Sequence, residues 1–288
     1  MTGEEQRAAI AAMGRTLGPQ VLVQCRSLFA EEQERAASLL APAASDCAYG
    51  NDPRQRLDLY REGASGEALR PVVLFVHGGG FVQGDKGGTG DAWANAHVGR
   101  WAARSGMLGA VMNYRLAPDH AWPAGSEDVA LAVAWLQQNA ASHGGDPRRI
   151  VLLGTSAGAV HIAGYLRLCA DHASQVRAAA MLSGIYGFTP LEGRDELYYG
   201  AQDSYAERMP RDAVVETDLP LFLACARFDP VRFQAEWSGL MQARLARHGA
   251  LPWAHFAAWQ NHYTLAMHIG TRDTALADAL LSFIAEHA

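Results

Sequence analysis

Gly154, Thr155, Ser156, Ala157 and Gly158 follow directly on the apolar run Ile150 to Leu153. A serine between two glycines, where a buried strand passes into a helix, is the pattern of a nucleophile elbow. Such a turn needs strained backbone angles and close strand–helix approach, which a Cβ at either glycine would obstruct. Ser156 is therefore the candidate nucleophile for attack on an acyl carbonyl. The same pattern arises by chance in glycine-rich loops, and this chain holds 29 glycines, so the remaining groups have to decide.

A serine hydroxyl is a weak nucleophile at neutral pH and needs a histidine base, itself held in one tautomer by a carboxylate. Behind an elbow of this kind the chain order is serine, acid, histidine. Asp229 follows the apolar run Leu219 to Ala226 and precedes Pro230, which puts a carboxylate at the carboxyl end of a strand, where sites gather. A helix N-cap is the alternative role for it. The other downstream acids fit less well: Asp195, Glu196, Asp203, Glu207, Asp212, Glu216 and Asp218 fall in an irregular stretch, and Glu236 falls inside a helical pattern. His262, in Gln260, Asn261, His262 and Tyr263, comes just after the last expected strand. His248 and His255 read as helix terminus and mid-strand, His268 lies beyond the loop, and His287 is at the carboxyl end. His161 is expected to pack under the sheet.

Acyl transfer creates an oxyanion, which needs fixed donors. His77, Gly78, Gly79, Gly80 and Phe81 follow a buried strand, and a glycine run lets backbone N–H groups approach a substrate. Gly78, Gly79 and Gly80, with the N–H of Ala157 at the head of the elbow helix, are the expected oxyanion donors. His77 is expected to order this loop.

These groups need a scaffold. Pro71–Val76, Leu108–Met112, Ile150–Leu153, Ala178–Leu182 and Leu219–Ala224 are continuous apolar runs suited to strands buried on both faces. Helical patterns at Asp91–Arg104, Ala124–Ala140, Ala157–His172 and Val231–His248 alternate with them, so the fold class is α/β with a mostly parallel sheet flanked by helices. Leu57–Tyr60 reads as an edge strand where the sheet begins, Trp253–Trp259 as the last strand and Thr271–His287 as a closing helix. Thr2 and Glu5 form a capping-box pattern for a first helix to about Arg15, and a second spans Gln20–Leu40 before Pro42. The division expected is N-terminal cap helices over 1–45 and a catalytic domain over 46–288. The latter carries a cap insertion at about 185–218, where Pro190, Gly193, Gly200 and Pro210 are interspersed with tyrosines.

The formal net charge of −6 gives no basic surplus for nucleic acid. No segment is apolar and long enough to span a membrane, and Met1–Ile10, with Glu4, Glu5 and Arg7, does not read as a secretory signal. Cys25, Cys47, Cys169 and Cys225 lack metal-ligand spacing and read as thiols of a cytoplasmic protein.

With these residues in place, the chain resembles the hormone-sensitive-lipase-like branch of α/β-hydrolases, bacterial carboxylesterases of lipase family IV. The resemblance runs from Tyr49 onward. It includes Asn113, Tyr114, Arg115, Leu116, Ala117 and Pro118, then Trp122, Pro123, Ala124 and Asp128. It implies an α/β-hydrolase fold, ester hydrolysis on small or medium acyl or aryl esters, and no metal or organic cofactor. Arg115 and Asp128 are, on the same resemblance, structural partners. Thr155 stands where the family usually has aspartate, as in a minority GTSAG-type subgroup, and Arg232 and Phe233 replace the usual acidic pair after Asp229. Phe81, Tyr114, Tyr186, Tyr198 and Trp259 are candidates to line the substrate pocket by position. An amidase such as an arylformamidase, using the same triad, and a non-catalytic ligand-binding protein of this fold are the alternatives. The expected partner is a small-molecule ester, and the oligomeric state, a homodimer included, is left open.

Overall fold

The computed structural model describes residues 2–63, 68–87 and 93–288. At the N-terminus the Thr2 hydroxyl accepts the Glu5 N–H while the Glu5 carboxylate accepts the Thr2 N–H, which starts α1 (Gly3–Met13). Helix α2 (Pro19–Leu39) follows, with proline in its first turn.

The sheet begins one strand earlier than the apolar pattern indicates. Strand β1 (Ala44–Ala48) has the sequence Ala-Ser-Asp-Cys-Ala, is mostly exposed, and pairs with irregular register around Asp46, whose φ is 53°. It carries no alternation by which to recognise it. Strand β2 (Arg56–Tyr60) is therefore not an edge; it lies between β1 and β4 (Leu108–Met112), antiparallel to both. The order is β1-β2-β4-β3-β5-β6-β7-β8, with β3 (Arg70–Val76), β5 (Gly145–Thr155), β6 (Ala178–Leu182), β7 (Leu221–Phe228) and β8 (Trp253–Asn261) parallel to one another and to β4.

Helices α3 (Ala96–Arg104), α4 (Ala124–Asn139) and α5 (Ala157–Leu168) form the crossovers between these strands. Asp91 and Ala92, expected in the first of them, lie outside the described residues. Helix α5 stops at Leu168 rather than His172 because Cys169 is extended, and a single turn, α6 (His172–Gln175), leads into β6. Between β6 and β7 the inserted segment forms only short helices: α7 (Gly193–Tyr199), α8 (Tyr205–Arg208) and α9 (Arg211–Glu216). The chain closes with α10 (Val231–His248), α11 (Thr264–Met267) and α12, which starts at Ala275 rather than Thr271 and runs to His287.

Period-two alternation explains the unbroken apolar runs. In β3, Val72, Leu74 and Val76 belong to one buried cluster with residues of α4, α5 and α10, whereas Val73 and Phe75 belong to a second, with residues of α3 and α12. Both faces are apolar, so the strands' carboxyl ends are where polar groups can collect.

Candidate active site

Ser156 sits between β5 and α5 at φ 52°, ψ −122°, left-handed backbone that costs a non-glycine residue about 1–3 kcal/mol. Its N–H donates to the Leu182 carbonyl at 2.8 Å, and its carbonyl accepts the Val160 N–H at 3.2 Å. A Cβ on Gly158 would lie 2.0 Å from the Val76 carbonyl oxygen, and one on Gly154 would lie 2.7 Å from the Gly158 backbone. Helix α5 thus seats directly on β3, and no larger residue fits at either position.

His262 and Asp229 reach the serine from the ends of β8 and β7. His262 Nε2 is 2.9 Å from Ser156 Oγ, and His262 Nδ1 is 2.7 Å from Asp229 Oδ1. With Nδ1 donating to the carboxylate, Nε2 is left to accept the serine proton, and the imidazolium formed would face a fixed negative charge. Asp229 is fully buried. Burial pushes its carboxyl up, but hydrogen bonds and charge from His262, with donors on its other oxygen, hold it below the ordinary carboxylate value. Those donors to Oδ2 are the Ser183 hydroxyl at 2.6 Å, the Ala226 N–H at 2.7 Å and the Cys225 thiol at 3.3 Å. Both oxygens are occupied, so the carboxylate cannot rotate without breaking bonds.

Ser183 and Cys225 were not among the expected groups. Ser183, at φ 48°, follows β6 at the same end of the sheet, a position open to inspection once that strand is drawn. Phe233, four residues past Asp229, packs its ring 4.2 Å from the His262 ring. The histidine's loop is tied internally by the Asn261 side chain, which accepts the N–H groups of Tyr263 and Thr264 at 3.0 Å. From outside, Cys25 of α2 contacts Asn261 and the Gly18 N–H donates to the Tyr263 hydroxyl. His248 and His268 instead turn ring nitrogens to the carbonyls of Val215 and Thr264.

The glycine loop runs beside the serine. A Cβ on Gly78 would lie 3.2 Å from Ser156 Cβ, and one on Gly79, whose φ is +144°, would collide with the Gln83 carbonyl at 1.8 Å. Among the described residues the N–H groups of Gly79, Gly80 and Ala157 have no hydrogen-bond acceptor, leaving them available to an anion. His77 Nδ1 donates to the Gly78 carbonyl at 2.7 Å while its ring stacks on Tyr114. Burial lowers its pKa to about 4, so it is neutral at pH 7.

The residues expected to line a pocket separate into two groups. Phe81 and Tyr198 stack face to face in an apolar cluster with Ala157 and Val160, beside the elbow. Tyr114 and Tyr186 belong instead to the main core, and Trp259 lies half-exposed on β8 with the Arg7 and Arg227 guanidinium groups over its ring. Core packing accounts for the two tyrosines: the Tyr114 hydroxyl donates to the His77 carbonyl. His161 is buried against Tyr114, Tyr198 and Phe81 with neither ring nitrogen hydrogen-bonded, and burial drives its pKa down to about 3.

Two side chains of α10 hold the inserted segment. The buried Glu236 carboxylate accepts the N–H groups of Tyr186, Gly187, Phe188 and Thr189 and the Thr189 hydroxyl. Arg232 donates to Thr189 Oγ1 and the Pro190 carbonyl and pairs with Asp195 and Glu192. Arg115 meets Asp128 through both backbone and side chain, at 2.7 and 2.9 Å.

The eight-stranded, mostly parallel sheet with a strained serine turn at its carboxyl end is an α/β-hydrolase fold. The chain belongs to the BD-FAE family, whose model matches residues 57–206. Over 115 residues it is 45% identical to a probable isoprenylcysteine alpha-carbonyl methylesterase of Oryza sativa subsp. japonica, a match covering 40% of this chain and 25% of that protein. Over 88 residues it is 44% identical to carboxylesterase NlhH of Mycobacterium tuberculosis, covering 31% and 26% respectively. The chain thus spans about a quarter of the length of these curated relatives. A Pyrobaculum calidifontis esterase shares the fold with a TM-score of 0.68 at 21% identity, covering 94% of this chain and 99% of that one.

Proposed function

We propose that the chain is a serine carboxylic-ester hydrolase acting on small or medium acyl or aryl esters, in the GTSAG-type subgroup of the hormone-sensitive-lipase-like branch. The observation that carries this is the His262 imidazole hydrogen-bonded at once to Ser156 Oγ and to Asp229. His262 takes the Ser156 proton as Oγ attacks the ester carbonyl. The N–H groups of Ala157 and of the Gly78–Gly80 loop bind the resulting oxyanion. The imidazolium returns the proton to the leaving alcohol, and the same base then activates water to hydrolyse the acyl-enzyme. The N-terminal helices and the segment at about 185–218 act as covers, Phe81 and Tyr198 supplying an apolar wall. The four free thiols fit a cytoplasmic setting.

Ser156→Ala is expected to lower kcat on p-nitrophenyl butyrate by about a thousandfold or more and to abolish labelling by a fluorophosphonate probe. Retained turnover in that variant refutes the assignment. Faster cleavage of an aryl formamide than of the matching formate ester by the wild type would move the reading to an amidase.

A further inference from the structure

Arg194 lies on α7, one helical turn before Tyr198, so both side chains leave the same face of the helix. That face meets the glycine loop at two consecutive residues. Tyr198 stacks on Phe81 with ring centroids 4.5 Å apart and planes 5° from parallel. Arg194 lies against Gly80: a Cβ there would meet its Cδ at 3.2 Å and a guanidinium nitrogen at 3.3 Å. The glycine therefore leaves the space that the arginine occupies. Helix α7 is held in place from elsewhere, because Arg232 pairs with Asp195 and Glu192 on either side of Arg194. Those two carboxylates are consumed by Arg232, and Arg194 itself pairs with no carboxylate among the described residues. An arginine fork is thus presented to solvent at the rim of the oxyanion loop, in a chain whose net charge is −6.

Resting on the esterase reading above, we infer that Arg194 is a specificity-determining residue for esters that carry a carboxylate a few atoms from the scissile carbonyl. Gly80 is two residues from Gly78, which abuts Ser156, so its Cα is at most about 7.6 Å from that of Gly78. An acyl chain of a few carbons covers a comparable distance. A planar guanidinium accepts a carboxylate through two parallel hydrogen bonds. The contact is equally available to the bound ester and to the transition state, so its effect falls on KM more than on kcat.

The test compares kcat/KM for two matched pairs. The mono-p-nitrophenyl ester of glutaric acid is set against p-nitrophenyl valerate, and 4-carboxyphenyl butyrate against phenyl butyrate, so that the charge is placed on the acyl or the leaving side. In Arg194→Ala the ratio of anionic to neutral ester is expected to fall about tenfold in at least one pair, through KM. Arg194→Lys should give an intermediate ratio, and raised ionic strength should narrow the difference. Ratios unchanged in both pairs, or a wild type that rejects both anionic esters, overturn the inference while leaving the esterase reading in place. An equal loss on both members of each pair does the same, since a purely structural role would have that effect. A wild type inert towards all four esters overturns both.

Discussion

Two regions border the serine and are attached to the core by different physics. The inserted segment hangs on a buried charge: Glu236 alone takes four backbone N–H groups and a hydroxyl, and Arg232 adds a second ionic fastening. The N-terminal helices are held by separate contacts spread along their length, among them the ion pair of Glu32 with Arg272. Gln33 donates to the carbonyls of Met267 and Ile269, Cys25 touches Asn261, and Ile10, Phe29 and Trp93 form a small apolar cluster. A concentrated attachment fails when one group is removed, because its partners are left buried and unpaired. A dispersed one loses only a share.

The comparison can be broken by mutation. Glu236→Ala leaves four N–H groups, that of Tyr186 buried and those of Gly187, Phe188 and Thr189 part-buried, without their acceptor, and the expected loss is about 3–5 kcal/mol of stability in urea unfolding, with new protease cleavage near residues 186–189. His161 tests the seam between the insertion and the core. The folded protein keeps this imidazole neutral down to about pH 3, whereas an unfolded chain protonates it near 6.5. The unfolded state therefore binds more protons across that window, and stability falls as pH drops below 6.5, by about 1.4 kcal/mol per pH unit for the one group. Buried His77 and His97, each lowered to about 4, act in the same direction. His161→Leu should accordingly lose less stability than the wild type between pH 7 and pH 4. Parallel pH curves for the two would contradict the neutral, unpartnered assignment. Gln33→Ala, which removes two neutral hydrogen bonds, should cost only about 1–2 kcal/mol. If it cost as much as Glu236→Ala, the distinction between concentrated and dispersed attachment would be wrong.

What could be read from sequence follows the same division. The strands buried on both faces were legible because Val72 to Val76 and Ile150 to Leu153 need no context to look apolar, and the elbow because Gly154 and Gly158 answer a local steric demand. The meeting of Ser156, Asp229 and His262 follows from strand order once the sheet is parallel. Strand β1 was not legible, since an exposed Ser-Asp-Cys edge has no periodicity. Glu236 looked like any glutamate within a helix; its donors come from residues 47 to 50 positions earlier, and only the fold brings them together. The packing of Tyr114 and Tyr186 in the main core is hidden for the complementary reason, because position along the chain does not say which face of the sheet a tyrosine will fill.

The first two turns of α10 begin two residues beyond Asp229 and carry Arg232, Phe233 and Glu236. This constrains how the protein can be re-engineered. A relative's segment put in place of residues 185–218 would have to bring backbone N–H groups to Glu236 and carboxylates to Arg232 in the same places. The transferable unit is the segment together with residues 231–236, and because Phe233 rests on His262, that larger graft also changes what packs against the base. Exchanging the inserted segment and keeping the packing on His262 unchanged are, in this architecture, not separable operations.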